Sequence, residues 1–254
     1  MERPAVPDAL SKDQAGAEAD LAGLKEELAV ANRLLVNEDV LDAFGHVSVR
    51  HPADPGRFFL SCALPPIVVQ AGDILEFDLD GSLVGASDRP LYSEVVIHSE
   101  IYRARPDVSA ICHHHAPAIL PFCVAGTPLV PVSQLGAVIG EEAPFWDSQH
   151  EFGDTNLLLT RPEEGASLAR ALGPHWLVLM RRHGATVVGR SLREMVFRAV
   201  HSAANAAVQS QAMQLGRLDA LTAGERALAG VIRASPVERS WLHWKARLDA
   251  AERR

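Results

Sequence analysis

Cysteine is scarce in this chain of 254 residues: Cys62, Cys112 and Cys123 are the full set. Three thiols cannot all pair, and no CxxC spacing repeats, so no disulfide framework is expected and the thiols read as buried groups of a reducing cytoplasm. Basic charge is also short. Lys and Arg total 24 against 32 Asp and Glu, a formal net charge of −8. That balance leaves no basic stripe able to follow a phosphate backbone, so nucleic acid is not an expected partner. No apolar run nears the ~20 residues that cross a bilayer. Residues 1–20 lack the basic-then-apolar order of a secretory signal. No membrane partner is expected, and the cytoplasm is the expected location.

What is present suits a globular chain. Hydrophobic residues make up 48% and charged residues 22%, enough for a substantial core. Residues 1–20 are rich in Ala, Asp and Pro without apolar periodicity and are expected to be flexible. Residues 21–254 carry no repeat or low-complexity linker and read as one domain with a helical C-terminal extension. Leu24, Leu28, Ala31, Leu34 and Leu35 recur at helical spacing and predict a helix over 21–37. Strands are predicted at 46–50, 57–61, 74–79, 108–115, 176–181 and 186–188, with hairpin turns at 52–56 and Asp80-Gly81. Further helices are predicted at 93–103, 166–172, 192–215, 218–234 and 236–251. Ser191 reads as an N-cap with Glu194 in capping-box position. The elements mix without a βαβ rhythm. That favours an α/β, three-layer α/β/α fold around a mainly antiparallel sheet.

The chemistry gathers in histidines. His113-His114-His115 ends an apolar strand, and strand residues i and i+2 share a face. His113 and His115 can therefore aim two imidazoles at one point while His114 faces away. Such a pair suits Mn²⁺, Zn²⁺ or Fe²⁺, although solvated strand-end histidines look the same in sequence. His183 follows a second apolar strand, just before Gly184, and reads either as a turn residue or as a third ligand. Three protein ligands leave a coordination position open, the pattern of a catalytic site. Glu94 opens a predicted helix, where a carboxylate also complements the helix dipole.

The order of motifs resembles the class II aldolase/adducin family over roughly residues 28–214. Residues 43–50, AFGHVSVR, are similar to the family's "GNxSxR" strand with His46 in place of Asn. Residues 91–98, LYSEVVIH, resemble its "SSE…H" helix start, and residues 110–117, AICHHHAP, its "vvHxHsp" segment. Residues 179–184, LMRRHG, resemble "llrnHG" with Arg182 in place of Asn. The resemblance implies a mainly antiparallel sheet between helical layers. It implies a divalent metal ion on His113, His115 and His183, with Glu94 as fourth ligand or acid/base. A homotetramer with active sites near subunit interfaces is implied as well.

Departures from the family pattern point to the reaction. The segment Ser61-Cys62-Ala63-Leu64-Pro65-Pro66 lacks glycine and offers one hydroxyl, a poor phosphate cradle. Tyr92 and Tyr102 are the two tyrosines, and both precede the histidine strand, so the late tyrosine donor of the family's aldolases is missing. The chain is more similar to the branch that decarboxylates hydroxylated aromatic dicarboxylates such as 3,4-dihydroxyphthalate. In that branch a metal chelated by ring hydroxyl and carboxylate stabilises the enolate left by CO₂, and Glu94 would reprotonate the ring. The alternatives are a sugar-phosphate or aldehyde aldolase and an adducin-like binding module without activity. His46, Ser61 and Arg182 are candidate contacts for a small aromatic carboxylate. Trp241 and Trp244 read as either an aromatic lid or packing.

Overall fold

A computed structural model describes residues 12–253 of the chain. Helix α1 spans Lys12–Asn37. The helix thus takes in residues 12–20 of the segment expected to be flexible, and residues 1–11 lie outside the described residues. Leu28, Ala31, Leu34 and Leu35 are fully buried, as their spacing requires of one face of a helix.

Seven strands form one sheet: β1 His46–Arg50, β2 Arg57–Ser61, β3 Ile74–Asp78, β4 Ala110–His114, β5 Phe145–Trp146, β6 Leu177–Met180 and β7 Gly184–Gly189. Their order is β3-β2-β1-β4-β7-β6-β5, antiparallel throughout except for the parallel β5–β6 pair at one edge. The hairpin expected at Asp80-Gly81 after β3 shrinks to a single bridge between Phe77 and Leu83. The remaining helices are α2 Val95–Ala104, α3 Leu120–Ala125, α4 Gln149–Phe152, α5 Pro162–Leu172, α6 Leu192–Leu215, α7 Ala223–Ala229 and α8 Ala234–Glu252. The expected helix at 218–234 contracts to α7, which opens on a Thr222 cap.

The side-chain alternation of the strands divides the core in two. Val47, Val49, Ala110, Cys112, Ala185 and Val187 face the layer of α1, α6 and α8. Ile111, Val178, Met180 and Val188 face the layer of α2 and α5. The architecture is therefore three-layered, α/β/α. By the same alternation, His46, Ser48, His113 and Thr186 all face α2, while His114 points into the opposite layer.

One local expectation needs correction, and one open alternative is resolved. The Ser191 hydroxyl accepts from the Glu194 amide at 3.2 Å, but the Glu194 carboxylate turns to Arg198 at 2.8 and 2.9 Å instead of returning to the cap. Trp241 and Trp244 are buried between α8 and the layer of α1 and α6. Trp244 lies 6.3 Å from the Phe197 ring and 5.6 Å from His201, and the Arg193 guanidinium sits 5.1 Å over Trp241. They pack, and they do not cover a cavity. Trp244→Ala is accordingly expected to cost about 3–5 kcal/mol of stability, read as a drop in Tm, with metal binding per folded molecule unchanged. A lid residue would instead lower substrate affinity with little change in Tm.

Candidate functional site

The site forms where three strand ends meet the start of a helix. In the β1–β4 ladder His46 lies opposite His113, and in the β4–β7 ladder His113 lies opposite Thr186. His115 follows just beyond β4 on the His113 face. The three-residue turn between β6 and β7 delivers His183. Two glycines permit this approach. Gly45 holds a left-handed φ of 86°, and a Cβ on it would meet the His113 carbonyl at 2.8 Å. A Cβ on Gly184 would come within 2.7 Å of the His115 ring.

The imidazoles of His113, His115 and His183 stand with ring centroids 4.9–5.1 Å apart. Nε2 of His113 lies 3.2 Å from Nε2 of His115. Two nitrogens bound to one tetrahedral ion at about 2.0–2.1 Å would be roughly 3.3 Å apart, so this pair fits a shared metal. Among the described residues, these three histidines form one candidate metal group, and His46, Glu94 and His113 form an overlapping one. Burial lowers the pKa of all three rings, with His183 brought down to about 4 by burial and then by neighbouring His115. Neutral imidazole is the form that binds metal. Nδ1 of His113 lies 3.3 Å from the Thr186 hydroxyl, which donates onward to the Met180 sulfur at 3.6 Å. With its proton on Nδ1, His113 donates to the Thr186 hydroxyl and Nε2 keeps its lone pair for a ligand.

Glu94 is the residue before α2, and its side chain makes no cap to its own helix. It turns into the site instead. Oε1 accepts from the Leu159 amide at 3.1 Å and lies 3.7 Å from His183 Nε2. Oε2 lies 3.8 Å from His113 Nε2 and 4.0 Å from His46 Nε2. Those separations are too long for direct hydrogen bonds, so the groups line a common space. Burial pushes the Glu94 pKa up to about 7 against the opposing Leu159 amide bond.

A cavity of ≈ 880 Å³ opens over this cluster. His46, Glu94, His115 and His183 contribute its polar floor, and Phe44, Leu64, Pro65, Leu91, Leu157 and Leu158 much of its apolar wall. Arg182 stands at the rim, exposed, with φ at 55°. Ser61, an expected contact, is not brought there. It is fully buried and does not line the cavity.

Sequence reading missed Thr186, His98, Ser48, Tyr102 and the loop bearing Leu157 and Leu159. Two signals were available. Glu94, His98 and Tyr102 recur every four residues on one face of α2, and His46 and Ser48 share a face of β1. The loop carries no such period.

The Glu94 shift has a consequence for stability. A carboxyl raised from 4.5 to about 7 stabilises the fold below its unfolded pKa, and that contribution is lost as pH rises through about 7. In chelator-treated protein, Glu94→Gln should therefore raise stability by on the order of 1–3 kcal/mol at pH 8. The gain should shrink toward zero below pH about 4.5. Urea unfolding across pH measures it, and a gain that grows toward acid would contradict the assignment.

Known proteins resemble this chain over most of its length. The sequence profile of the Class II Aldolase and Adducin N-terminal domain matches residues 26–210. Decarboxylase tropJ of Talaromyces stipitatus is 34% identical over 195 residues, covering 72% of this chain and 73% of that protein. The 3,4-dihydroxyphthalate decarboxylase of Arthrobacter keyseri is 27% identical over 243 residues, 91% of this chain and 96% of that protein. Among solved structures, L-fuculose 1-phosphate aldolase from Glaciozyma antarctica PI12 superposes with a TM-score of 0.77 at 22% identity, covering 99% of this chain and 95% of that one, a likeness of fold. With the profile covering most of its length and its histidine cluster built on the matched segment, the chain belongs to the class II aldolase and adducin family.

Proposed function

We propose that this protein is a metal-dependent decarboxylase of a hydroxylated aromatic carboxylate, of the kind represented by 3,4-dihydroxyphthalate. One observation carries the reading: a buried carboxyl, Glu94, faces three converging imidazoles at the floor of a cavity with a largely apolar wall. An aromatic ring fits such a wall, and its acidic substituents find their partners only at the floor and rim. The two decarboxylase relatives support the same chemistry.

His113, His115 and His183 would hold the ion, with Mn²⁺, Zn²⁺ and Fe²⁺ all compatible with imidazole ligands. When bound, the ion supplies Lewis acidity toward the ring hydroxyl and its neighbouring carboxylate. Thr186 keeps the His113 lone pair directed at the site. As the carbon–carbon bond to the carboxylate breaks, its electron pair passes into the ring and CO₂ leaves. Glu94 in its protonated form delivers H⁺ to the vacated ring carbon, and the resulting carboxylate recovers a proton from solvent. The apolar wall keeps water from the ring during that interval. His46 on the floor and Arg182 at the rim are placed to meet substrate oxygens.

The sugar-phosphate aldolase alternative has less support from the chain's own residues. Ser61 is buried, and the segment after it runs through Pro65 into a short 3-10 turn at Pro66–Val68, without a glycine nest for phosphate. A homo-oligomer with the cavity near a subunit boundary belongs to the same reading.

Purified protein reconstituted with Mn²⁺, Zn²⁺ or Fe²⁺ is expected to release CO₂ from 3,4-dihydroxyphthalate or a related hydroxy acid. Glu94→Gln should lower kcat by about 10²–10⁴-fold, and His115→Ala should lose bound metal by elemental analysis. Turnover of sugar phosphates alone would favour the aldolase. Neither metal nor turnover would leave the adducin-like binding module.

A further inference from the structure

Behind the cavity floor, His46 continues into a line of polar groups that the reaction above does not use. His46 Nδ1 is 2.6 Å from His98 Nε2, and His98 Nδ1 is 2.6 Å from the Ser48 hydroxyl. The Ser48 hydroxyl is in turn 2.8 Å from the Tyr102 hydroxyl. All four side chains are buried, and only His46 reaches the cavity.

Counting protons decides the direction of this line. Both rings are enclosed and their nearest carboxylate oxygen, on Glu94, stands 4.0 Å from His46, so each ring is neutral and carries one N–H. Two arrangements satisfy the three contacts in series. In one, Tyr102 O–H donates to Ser48, Ser48 O–H to His98 Nδ1, and His98 Nε2–H to His46 Nδ1. The proton of His46 then sits on Nε2. The other arrangement reverses both bonds of His98 and places the His46 proton on Nδ1. In the reverse direction Ser48 accepts from His98, and either its own O–H or that of Tyr102 is left without an acceptor, since each is the other's one remaining side-chain partner among the described residues and the Arg50 guanidinium over the Tyr102 ring cannot accept. An unsatisfied buried donor costs about 1–3 kcal/mol. The first direction wins by that margin.

We propose that Tyr102, Ser48 and His98 form a dead-end hydrogen-bond chain that locks His46 with its proton on Nε2, so that His46 presents an N–H donor to an anionic oxygen in the cavity. The chain ends on a buried tyrosine with no onward path, so it orients a ring and does not conduct protons. His98, Ser48 and Tyr102 are thus positioning residues. The ligand half, a substrate carboxylate on His46, rests on the decarboxylase reading above; the tautomer does not.

Neutron diffraction from perdeuterated protein reads the tautomer directly. Deuterium is expected on Nε2 of both His46 and His98, with the Tyr102 deuterium directed at Ser48. Deuterium on Nδ1 of His46 overturns the proposal. His98→Phe frees His46 Nδ1 and should mix its tautomers, whereas Tyr102→Phe should preserve Nε2–H because Ser48 still donates to His98. Phthalate, an aromatic dicarboxylate lacking the ring hydroxyl, serves as an unreactive probe. The His98→Phe variant should bind it about three- to tenfold more weakly with metal content unchanged. Ser48→Ala gives a smaller loss in the same direction if His98→Phe fails to fold. Equal phthalate affinity in both variants would overturn the ligand half. A failed decarboxylase reading shows instead as absent CO₂ release, with the neutron result standing.

Discussion

The antiparallel pairing of β1, β4 and β7 sets His46 opposite His113 and His113 opposite Thr186, and the rest of the site hangs on that row. Strand side chains alternate between faces, so a slip of one residue would turn all three away from α2 and into the other helical layer. The β6–β7 turn then brings His183 to the same end of the sheet. Gly184 and Gly45 matter because they let backbones close on His115 and His113 where any Cβ would collide. The helix supplies what the sheet cannot. Glu94 sits just ahead of α2, with His98 and Tyr102 one and two turns along the same face.

Burial then fixes the protonation states that this geometry needs. Desolvation lowers the histidine pKa values and raises that of Glu94, because each charged form loses water without gaining a close opposite charge. The same physical cause therefore favours both neutral forms, leaving lone pairs on the imidazoles and, below about pH 7, a proton on the carboxyl. A cluster of charged histidines would repel a cation, and an ionised Glu94 would have no proton to deliver. Burial also makes the hydrogen-bond direction behind His46 decidable, since no group there can exchange its proton with solvent at low cost.

Much of this was legible in the sequence because it is periodic. The strand alternation at 46–50 and 110–114 and the apolar face of α1 follow directly from spacing, and they correctly separate His114 from His113 and His115. The family motifs added the association of His183 and Glu94, which spacing alone left open. What escaped has no local period or depends on a partner distant in sequence. Thr186 acquires its role only through register with His113. Leu159 offers its amide to Glu94 from an irregular loop. Ser61 looked available because alternation gives a face but not what covers it. The tryptophans of α8 were ambiguous for the same reason: their spacing defines a helical face, and only the packing of α8 on α6 shows what that face meets.

Arg182 shows how local cost and site geometry are connected. A left-handed φ of 55° is disfavoured for a residue with a long side chain, by roughly 1–2 kcal/mol relative to right-handed backbone. Asparagine, which the resembling motif carries at this place, tolerates that conformation better. The turn nonetheless keeps it, because three residues must carry the chain from Met180 to Gly184 while His183 points inward. The Arg182 amide is held by the Cys123 carbonyl at 2.9 Å, which ties the turn to α3. An arginine gains nothing from the turn itself, and its guanidinium pairs with no carboxylate within the turn. Its position at the rim of a cavity with a largely apolar wall, lined also by Ser93 and Asn156, is where a strained backbone would be kept for the sake of the side chain. Under the proposed function, Arg182 and a donor on His46 at the floor would give the cavity two separated points of attraction for oxygen anions. That spacing of polar points along an apolar wall is the property an aromatic acid would match and a small neutral aldehyde would not.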